Sequence, residues 1–445
     1  MKSYIIFFFV FCVSIFEAVH AQPSKHVVLI TIDGLRPEFY LDPSWGMVNL
    51  NIMKDEGVYA KGVNSVFPSL TLPAHTSLVT GLNPDKHGIY YNAPFRPTRN
   101  SNEWYWYYKD ISTPTLWSIM EKEGMKTASV NWPVTIDAPI DYNIPVIKKK
   151  GQTQVETVKP YSTPAGLFEE VEREATGRLE DAEFSKIKDY IMQDQIMARI
   201  GAYLIREYKP AFTTIHLSVV DHFEHSEGRD GDMVRRAVSG VDRDIRTIVE
   251  SIKRAGIEKN TTIIITGDHG HVNKHTIINP NVWLSEAGLI KDVKNDDWEA
   301  QFQVAGGSAF LYLKNPEDTI TLTKVKNILK GLPKSERKFF RLINKKSLLD
   351  KGGDPNAVLA LSTINGYAFG GAWTGDVYKP THGATHGHFP DFKEIQTGFI
   401  AYGAGIRPGK YIDEMNLTDI TPMIAYLLGL DFPSADGTLI RGVLK

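Results

Sequence analysis

Residues Thr261–His271 read TTIIITGDHGH. Thr262–Ile265 is a β-branched run of threonine and isoleucine, which predicts a strand buried on both faces. It stops on Thr266-Gly267-Asp268-His269-Gly270, where two glycines bracket an acid and a histidine. Glycine's conformational freedom predicts a sharp turn there, bringing both side chains to one point. The same arrangement recurs twice. His26–Gly34 (HVVLITIDG) is an apolar run ending in Asp33, and Phe212–Asp221 (FTTIHLSVVD) ends in an acid followed by His225. In open α/β sheets, ligands bind outside the carboxyl ends of parallel strands. Asp33, Asp221 and Asp268 are therefore aimed at one crevice, where their mutual repulsion is costly unless a cation lies among them. A divalent metal is the natural candidate.

Outward from these strands, the chain alternates strands with helices. Val58–Val66 and Thr127–Asn131 predict further strands, Thr115–Gly124 predicts a helix, and Ala165–Tyr208 is rich in helix formers. Asp230–Ala255 places Val234, Val238, Val241, Ile245, Ile248 and Ile252 close to helical spacing. The fold class that follows is α/β, a mostly parallel sheet sandwiched by helices. Pro145–Tyr161 reads as irregular, and the aromatic run Trp104–Tyr108 as a strand with one aromatic face. Between residues 273 and 380 the pattern changes. Ala309–Leu313 and Val358–Leu361 predict strands around a helix at Thr321–Lys330, and the basic segment Lys334–Lys346 predicts a solvated helix face. Residues 273–380 are thus expected to form a smaller inserted α+β subdomain covering one side of the crevice. A strand at Thr397–Ala401 and a closing helix at Ile420–Leu428 follow it.

Met1–Ala21 is expected to be a signal peptide. Lys2 supplies a weak positive start, Tyr4–Phe16 an apolar stretch, and Val19-His20-Ala21 a small-residue cleavage site before Gln22. The apolar stretch is short for a membrane span, so no stable span is expected after cleavage. Cys12 is the only cysteine and lies within it. The remaining domain, residues 22–445, is then expected to build no disulfides and to depend on its core. An exported protein, periplasmic or secreted, is the expectation. A formal net charge of −2, with acids and bases interspersed, argues against nucleic-acid scaffold binding or a polybasic membrane surface. No stretch points to a partner protein.

Candidate ligands accumulate around the three acids. Asp221 and His225 are four apart, on one face if that turn is helical. Phe67-Pro68-Ser69-Leu70-Thr71-Leu72-Pro73 leads into a predicted helix over Ala74–Val79 that stops at Gly81. Pro73 suits its first turn, because the missing N–H would be unpaired there anyway. Thr71 then stands just ahead of a helix N-terminus, where free N–H groups favour an anion. Alone, it would be an ordinary cap. Thr381–His388 (THGATHGH) adds the glycine-flanked His382 and His386. Mixed imidazole and carboxylate donors suit zinc, with manganese or iron as alternatives. Six or seven ligands are too many for one tetrahedral ion and suit two. His75, His87, His216, His222 and His271 read as core or surface histidines.

ITIDGLRPEF (Ile30–Phe39), FPSLTLPAHTSLVTGLNPDKHGI (Phe67–Ile89), VVDHFEH (Val219–His225), TGDHGH (Thr266–His271), ATHGHFPD (Ala384–Asp391) and DITPMIAYLLGL (Asp419–Leu430) together resemble the nucleotide pyrophosphatase/phosphodiesterase branch of the alkaline phosphatase superfamily. The resemblance runs from the first strand to the C-terminal helix and implies an alkaline-phosphatase-like fold. It makes Thr71 the nucleophile, with one zinc held by Asp33, Thr71, Asp268 and His269 and a second by Asp221, His225 and His386. Asn92 matches the family's asparagine that contacts the phosphoryl oxygens. His386 fits better than His382, because His386-Gly387-His388-Phe389-Pro390 resembles the family's HG-x-x-P. The implied activity is hydrolysis of phosphodiester or pyrophosphate bonds in small phosphate esters, through a phospho-threonine. The chemistry is coherent: a threonine hydroxyl is a poor nucleophile until a metal lowers its pKa. Amides at the helix start, with Asn92, are expected to hold the non-bridging oxygens.

Two departures from the family bear on substrate. Leu72 follows the nucleophile where nucleotide-cleaving members carry phenylalanine, and His216 stands where they have tyrosine. Those aromatics sandwich the base, so both substrate-binding positions weaken the case for a nucleotide. Two other readings stand. A phosphomonoesterase or phosphonate hydrolase needs an extra cation near Thr71, which Lys86, Arg96, Arg99 or Lys109 could supply. An inactive binding protein is expected to lack a ligand or the nucleophile, and none is missing. A sulfatase needs a modified cysteine or serine in place of Thr71.

Overall fold

Six strands carry the architecture: β1 (His26–Ile32), β2 (Val58–Asn64), β3 (Thr127–Val130), β4 (Tyr142–Ile144), β5 (Phe212–Leu217) and β6 (Thr261–Thr266). The structure is a computed structural model describing residues 23–101, 103–179, 190–432 and 436–445. The expected signal peptide, residues 1–21, lies outside the described residues. Among those described, the central sheet runs in the order Lys410–Ile412, β2, Thr397–Gly403, β6, β1, β5, β3, β4. From β6 to β4 every neighbouring pair is parallel, and Thr397–Gly403 is the strand that runs antiparallel to both of its neighbours.

Alternation along the strands explains why helices cover both faces. Val28, Ile30 and Ile32 of β1, with Ile263 and Ile265 of β6, enter one apolar cluster. Val27, Leu29 and Ile264 enter the other. The first cluster is closed by the helices Val48–Glu56, Ile191–Tyr208 and Asp232–Arg254. The second is closed by Thr71–Thr80, Leu116–Lys122 and Ile420–Leu428. Each fully buried isoleucine or valine contributes about 1.5–3 kcal/mol, so the strands that end in acids are among the most firmly anchored parts of the chain. All six apolar residues expected to face inward from Asp232–Arg254 are buried.

Register places the strand ends side by side. Thr31 lies opposite His216 on β5 and Thr266 on β6. Asp33, the start of the helix Val219–Glu227, and Asp268 therefore open at one rim. The segment 272–380 carries its own four-stranded antiparallel sheet, Ala300–Ala305, Ser308–Leu313, Leu359–Thr363 and Phe340–Asn344. No helix among the described residues is long and apolar enough to cross a membrane.

Three local expectations are corrected. Trp104–Tyr108 is not a strand: its backbone bonds to loops, Tyr105 N–H to the Asn92 carbonyl and Tyr108 N–H to the Ile136 carbonyl. Pro145–Tyr161 is not wholly irregular, because Thr153 and Glu156 form a capping box that starts the helix Gln154–Val158. Lys334–Lys346 is not one solvated helix face. A short helix, Lys334–Arg337, gives way to the strand Phe340–Asn344, pinned by burial of Phe340 and Ile343.

Candidate metal centre and active site

Asp33 follows β1 directly, and its N–H donates to the Leu217 carbonyl at 2.8 Å. Asp268 follows β6. Its Oδ1 accepts from the N–H groups of Gly34 and His269 at 3.2 and 3.0 Å, which leaves Oδ2 without a hydrogen bond. His269 Nε2 stands 3.2 Å from that Oδ2 and 3.4 Å from Asp33 Oδ1. These three residues form one donor group.

The glycines of this turn act differently from the expectation. Neither Gly267 nor Gly270 has a left-handed φ; both are needed for room. A Cβ at residue 270 would lie 2.5 Å from the Glu394 carbonyl oxygen. Gly270→Ala is expected to destabilise the fold by about 1–3 kcal/mol through overpacking. Urea unfolding would show this as a lower midpoint, and an unchanged midpoint would contradict the packing argument.

A second donor group, Asp221, His269, His271 and His386, shares His269 with the first, and the His269 and His386 rings stack 3.6 Å apart. Asp221 lies in the first turn of Val219–Glu227 and His225 one turn later, so its Nε2 comes within 3.2 Å of Asp221 Oδ1. His386 Nε2 is 3.6 Å from the same oxygen and 3.2 Å from His225 Nε2. The other ring nitrogens face carbonyls: His386 Nδ1 meets Ser69 O at 2.9 Å, and His225 Nδ1 meets Ala384 O at 3.1 Å. A carbonyl only accepts, so each Nδ1 carries a proton, which turns each Nε2 toward the other and toward Asp221 Oδ1. Two ring nitrogens and a carboxylate oxygen converging this closely make a site for a cation. A second hydrogen bond fixing each ring is also the ordinary setting of a metal-bound histidine.

Electrostatics agree. Burial, then the neighbouring Asp221 and Asp268, raise the Asp33 carboxyl well above its usual range. Burial and Asp221 raise Asp268 to about 7. Burial works against charge on Asp221 too, but His225 and His271 outweigh it and hold this carboxyl well below the usual range. Burial pushes His269 and His386 down, so both imidazoles are neutral donors. Asp33 Oδ1, Asp221 Oδ1, Asp268 Oδ2 and both nitrogens of His269 are buried without a hydrogen bond. This is a carboxylate and imidazole donor set that fits zinc or a similar divalent ion.

Thr71 is the first residue of the helix Thr71–Thr80, one position later than expected, with extended Leu70 ahead of it. It shares the wall of a cavity of about 170 Å³ with Asp33, Asp221, Leu72 and His216. The Leu72 N–H donates to Asn92 Oδ1 at 3.0 Å, which ties Asn92 to the helix start and leaves the side-chain NH₂ as its remaining donor. That amide is thereby occupied, contrary to the expectation that it is free for substrate. Leu72 is nearly buried against Ile89 and Val134. His216 lies under Asp33, with Nε2 3.6 Å from Asp33 Oδ2 and Nδ1 near Thr31 Oγ1 and His75 Nε2. A larger cavity of about 480 Å³ around Asn64, Asp350 and Asp436 holds none of the clustered donors.

Of the glycine-flanked pair, His386 is in the cluster and His382 is exposed outside it. His75 and His87 are buried structural rings, as expected. His271 is not simply a core or surface histidine. Its Nε2 is 3.0 Å from Asp221 Oδ1 and its Nδ1 2.8 Å from Glu224 Oε2. Burial opposes its charge, yet Glu224 and Asp221 lift it to about 9. Its signal was present in TGDHGH, two residues beyond His269. Lys86, Arg96, Arg99 and Lys109 are engaged elsewhere, on Asp436, on the Glu103 carbonyl, on Gln301, Phe302 and Gly371, and over the Tyr107 ring respectively. Among the described residues Lys148 is the lysine or arginine that lines the cavity, with Trp104, Trp106, Val146 and Met197 as its apolar walls.

Residues 27–387 match the family described as type I phosphodiesterase / nucleotide pyrophosphatase. The human ectonucleotide pyrophosphatase/phosphodiesterase family member 1 is 23% identical over 438 residues, covering 92% of this chain and 40% of that protein. A venom phosphodiesterase of Macrovipera lebetinus is 23% identical over 432 residues, covering 93% of this chain and 44% of its own length. The chain thus spans less than half the length of these relatives. The structure of murine ectonucleotide pyrophosphatase/phosphodiesterase 5 superposes with a TM-score of 0.67 at 18% identity, covering 95% of this chain and all of that one. The fold is alkaline-phosphatase-like, and the chain belongs to the type I phosphodiesterase / nucleotide pyrophosphatase family.

Proposed function

We propose that this chain is an exported, zinc-dependent phosphodiesterase that works through a phospho-threonine at Thr71. The observation that carries the reading is Thr71 at a helix start, on one cavity wall with Asp33 and Asp221, beside two donor groups that share His269. Asp33, Thr71, Asp268 and His269 would hold one ion, and Asp221, His225 and His386 the other. Bound zinc supplies a lowered pKa for the Thr71 hydroxyl and positive charge toward the phosphoryl group. Thr71 Oγ1 then forms a bond to phosphorus as the P–O bond to the leaving group breaks, and the leaving oxygen takes up a proton. Water hydrolyses the phospho-threonine and regenerates the hydroxyl. Asn92, held against the Leu72 N–H, is placed to donate to a non-bridging oxygen. Export is supported by the expected signal peptide and by the secreted character of a venom enzyme among the relatives.

The cavity bears on substrate class. Leu72, Trp104, Trp106, Val146 and Met197 give it an apolar wall suited to a neutral or aryl second substituent. Diester hydrolysis is therefore expected to exceed monoester hydrolysis by at least about tenfold in kcat/KM, roughly 1.4 kcal/mol. Comparing bis-aryl phosphate, aryl phosphate and the aryl ester of a thymidine nucleotide tests this. A preference for the monoester overturns the diesterase assignment in favour of a phosphomonoesterase, for which Lys148 would be the extra cation. The nucleotide ester is expected to gain little, because Leu72 and His216 provide no base clamp. A hundredfold gain, about 2.7 kcal/mol, would show instead that Trp104 or Trp106 stacks on the base. A neighbour of the same fold, the inactive murine protein 5, has been solved in complex with AMP, so a nucleotide is one of the esters to include.

A further inference from the structure

We propose that His271 is a fourth protein ligand to the ion held by Asp221, His225 and His386, giving that ion one carboxylate oxygen and three imidazoles. The assignment rests on the metal-dependent reading above and extends it. His271 is fully buried. Its Nε2 lies 3.0 Å from Asp221 Oδ1, and both atoms are buried. An ion taken up there displaces the proton that Nε2 otherwise shares with Asp221, which leaves both atoms as donors to one centre. The spacings agree with one centre. From Asp221 Oδ1 the Nε2 atoms of His271, His225 and His386 lie at 3.0, 3.2 and 3.6 Å, and those of His225 and His386 are 3.2 Å apart. Metal–ligand bonds of about 2.0–2.1 Å in a tetrahedron separate the donor atoms by about 3.3–3.4 Å.

The far side of the ring is built for the same purpose. Glu224 Oε2 lies 2.8 Å from His271 Nδ1, and Glu224 Oε1 lies 2.7 Å from Arg36 Nε. Glu224 and Arg36 are themselves buried. A carboxylate behind a ligating imidazole orients the ring and raises its basicity, and Arg36 offsets the added negative charge. Gly34, in a left-handed conformation (φ 76°), leaves the room. A Cβ there would lie 2.6 Å from Glu224 Oε2 and 3.1 Å from the His271 ring. An ion with four protein ligands meets substrate only through a fifth position, which zinc allows.

The test is zinc titration of metal-stripped full-length chain against a chromogenic chelator, with His271→Ala, His271→Gln and Glu224→Gln beside wild type. A glutamine can still donate to Asp221 but is a poor zinc ligand, so it separates coordination from mere orientation of Asp221. It also fills most of the imidazole's volume and reports even if the alanine variant fails to fold. Expected is a loss of more than about a hundredfold in affinity for one of the two equivalents in His271→Gln, beyond the range of an outer-shell loss. Glu224→Gln is expected to lose about 10–100-fold. Cobalt substitution gives a second readout, since removing an imidazole changes the visible absorption of the remaining site. Two equivalents bound as tightly by His271→Gln as by wild type, with an unchanged cobalt spectrum, overturn this assignment alone. A wild-type chain that takes up no zinc overturns the metal-dependent reading, and this assignment with it.

Discussion

Thr71→Ala is expected to lower turnover by about 10⁴-fold or more, equivalent to about 5.4 kcal/mol of lost transition-state stabilisation. The helix Thr71–Thr80 is expected to survive. Among the described residues the Thr71 hydroxyl makes no hydrogen bond, and alanine is a better helix former than threonine. Much of the bound zinc is also expected to remain, because Asp33, Asp268 and His269 are untouched. Thr71→Ser is expected to keep roughly a tenth or more of turnover, since a hydroxyl survives at the same position. Steady-state rates on a diester, with circular dichroism and zinc content measured beside them, check all three statements. Near-wild-type turnover by the alanine variant would put the nucleophile elsewhere, in a water molecule.

Metal removal has the next largest expected effect. Prolonged chelation is expected to abolish turnover and lower the melting temperature, and zinc to restore both at two equivalents per chain. The reason lies in the buried donors: Asp33, Asp221 and Asp268 stand at one rim, and Asp33 and Asp268 are held above their usual range by burial and by neighbouring carboxylates. An ion at a thousandfold excess over its Kd stabilises the folded chain by about 4 kcal/mol, enough to move Tm by several degrees. Calorimetry on chelated and reloaded protein measures this. Turnover and Tm that ignore the chelator overturn the metal dependence. One equivalent or less after zinc-replete purification overturns the two-ion arrangement.

Much of this was legible along the chain. The runs ending at Asp33, Asp221 and Asp268 read as strands because β-branched apolar residues fill them, and both faces of β1 and β6 are indeed buried. The spacing of Asp221 and His225 pointed to one helical face, and the helix Val219–Glu227 provides it. Local errors came where tertiary contacts outweighed pattern. The aromatic alternation of Trp104–Tyr108 imitates a strand, but its hydrogen bonds go to loops at Asn92 and Ile136. The glycines around Asp268 suggested backbone freedom, whereas the packed carbonyls of Glu394 and Gln396 are what exclude a Cβ at Gly270.

The sequence by itself determined the α/β class and the acids at or just past the strand ends, because these follow from periodicities and turns within a few residues, while the choice of Thr71 as candidate nucleophile came from the family resemblance. His225, His269 and His386 were expected from the sequence and its family resemblance, and only the tertiary structure brought His271 to the same acids. His386 and His382 carry the same local grammar, yet one is buried against Ser69 and the other is exposed. His271 looked like any core histidine until Asp221 and Glu224 were found on either side of it. A side chain's ligand status depends on where its nitrogen points among groups far away in sequence, and register and packing set that direction.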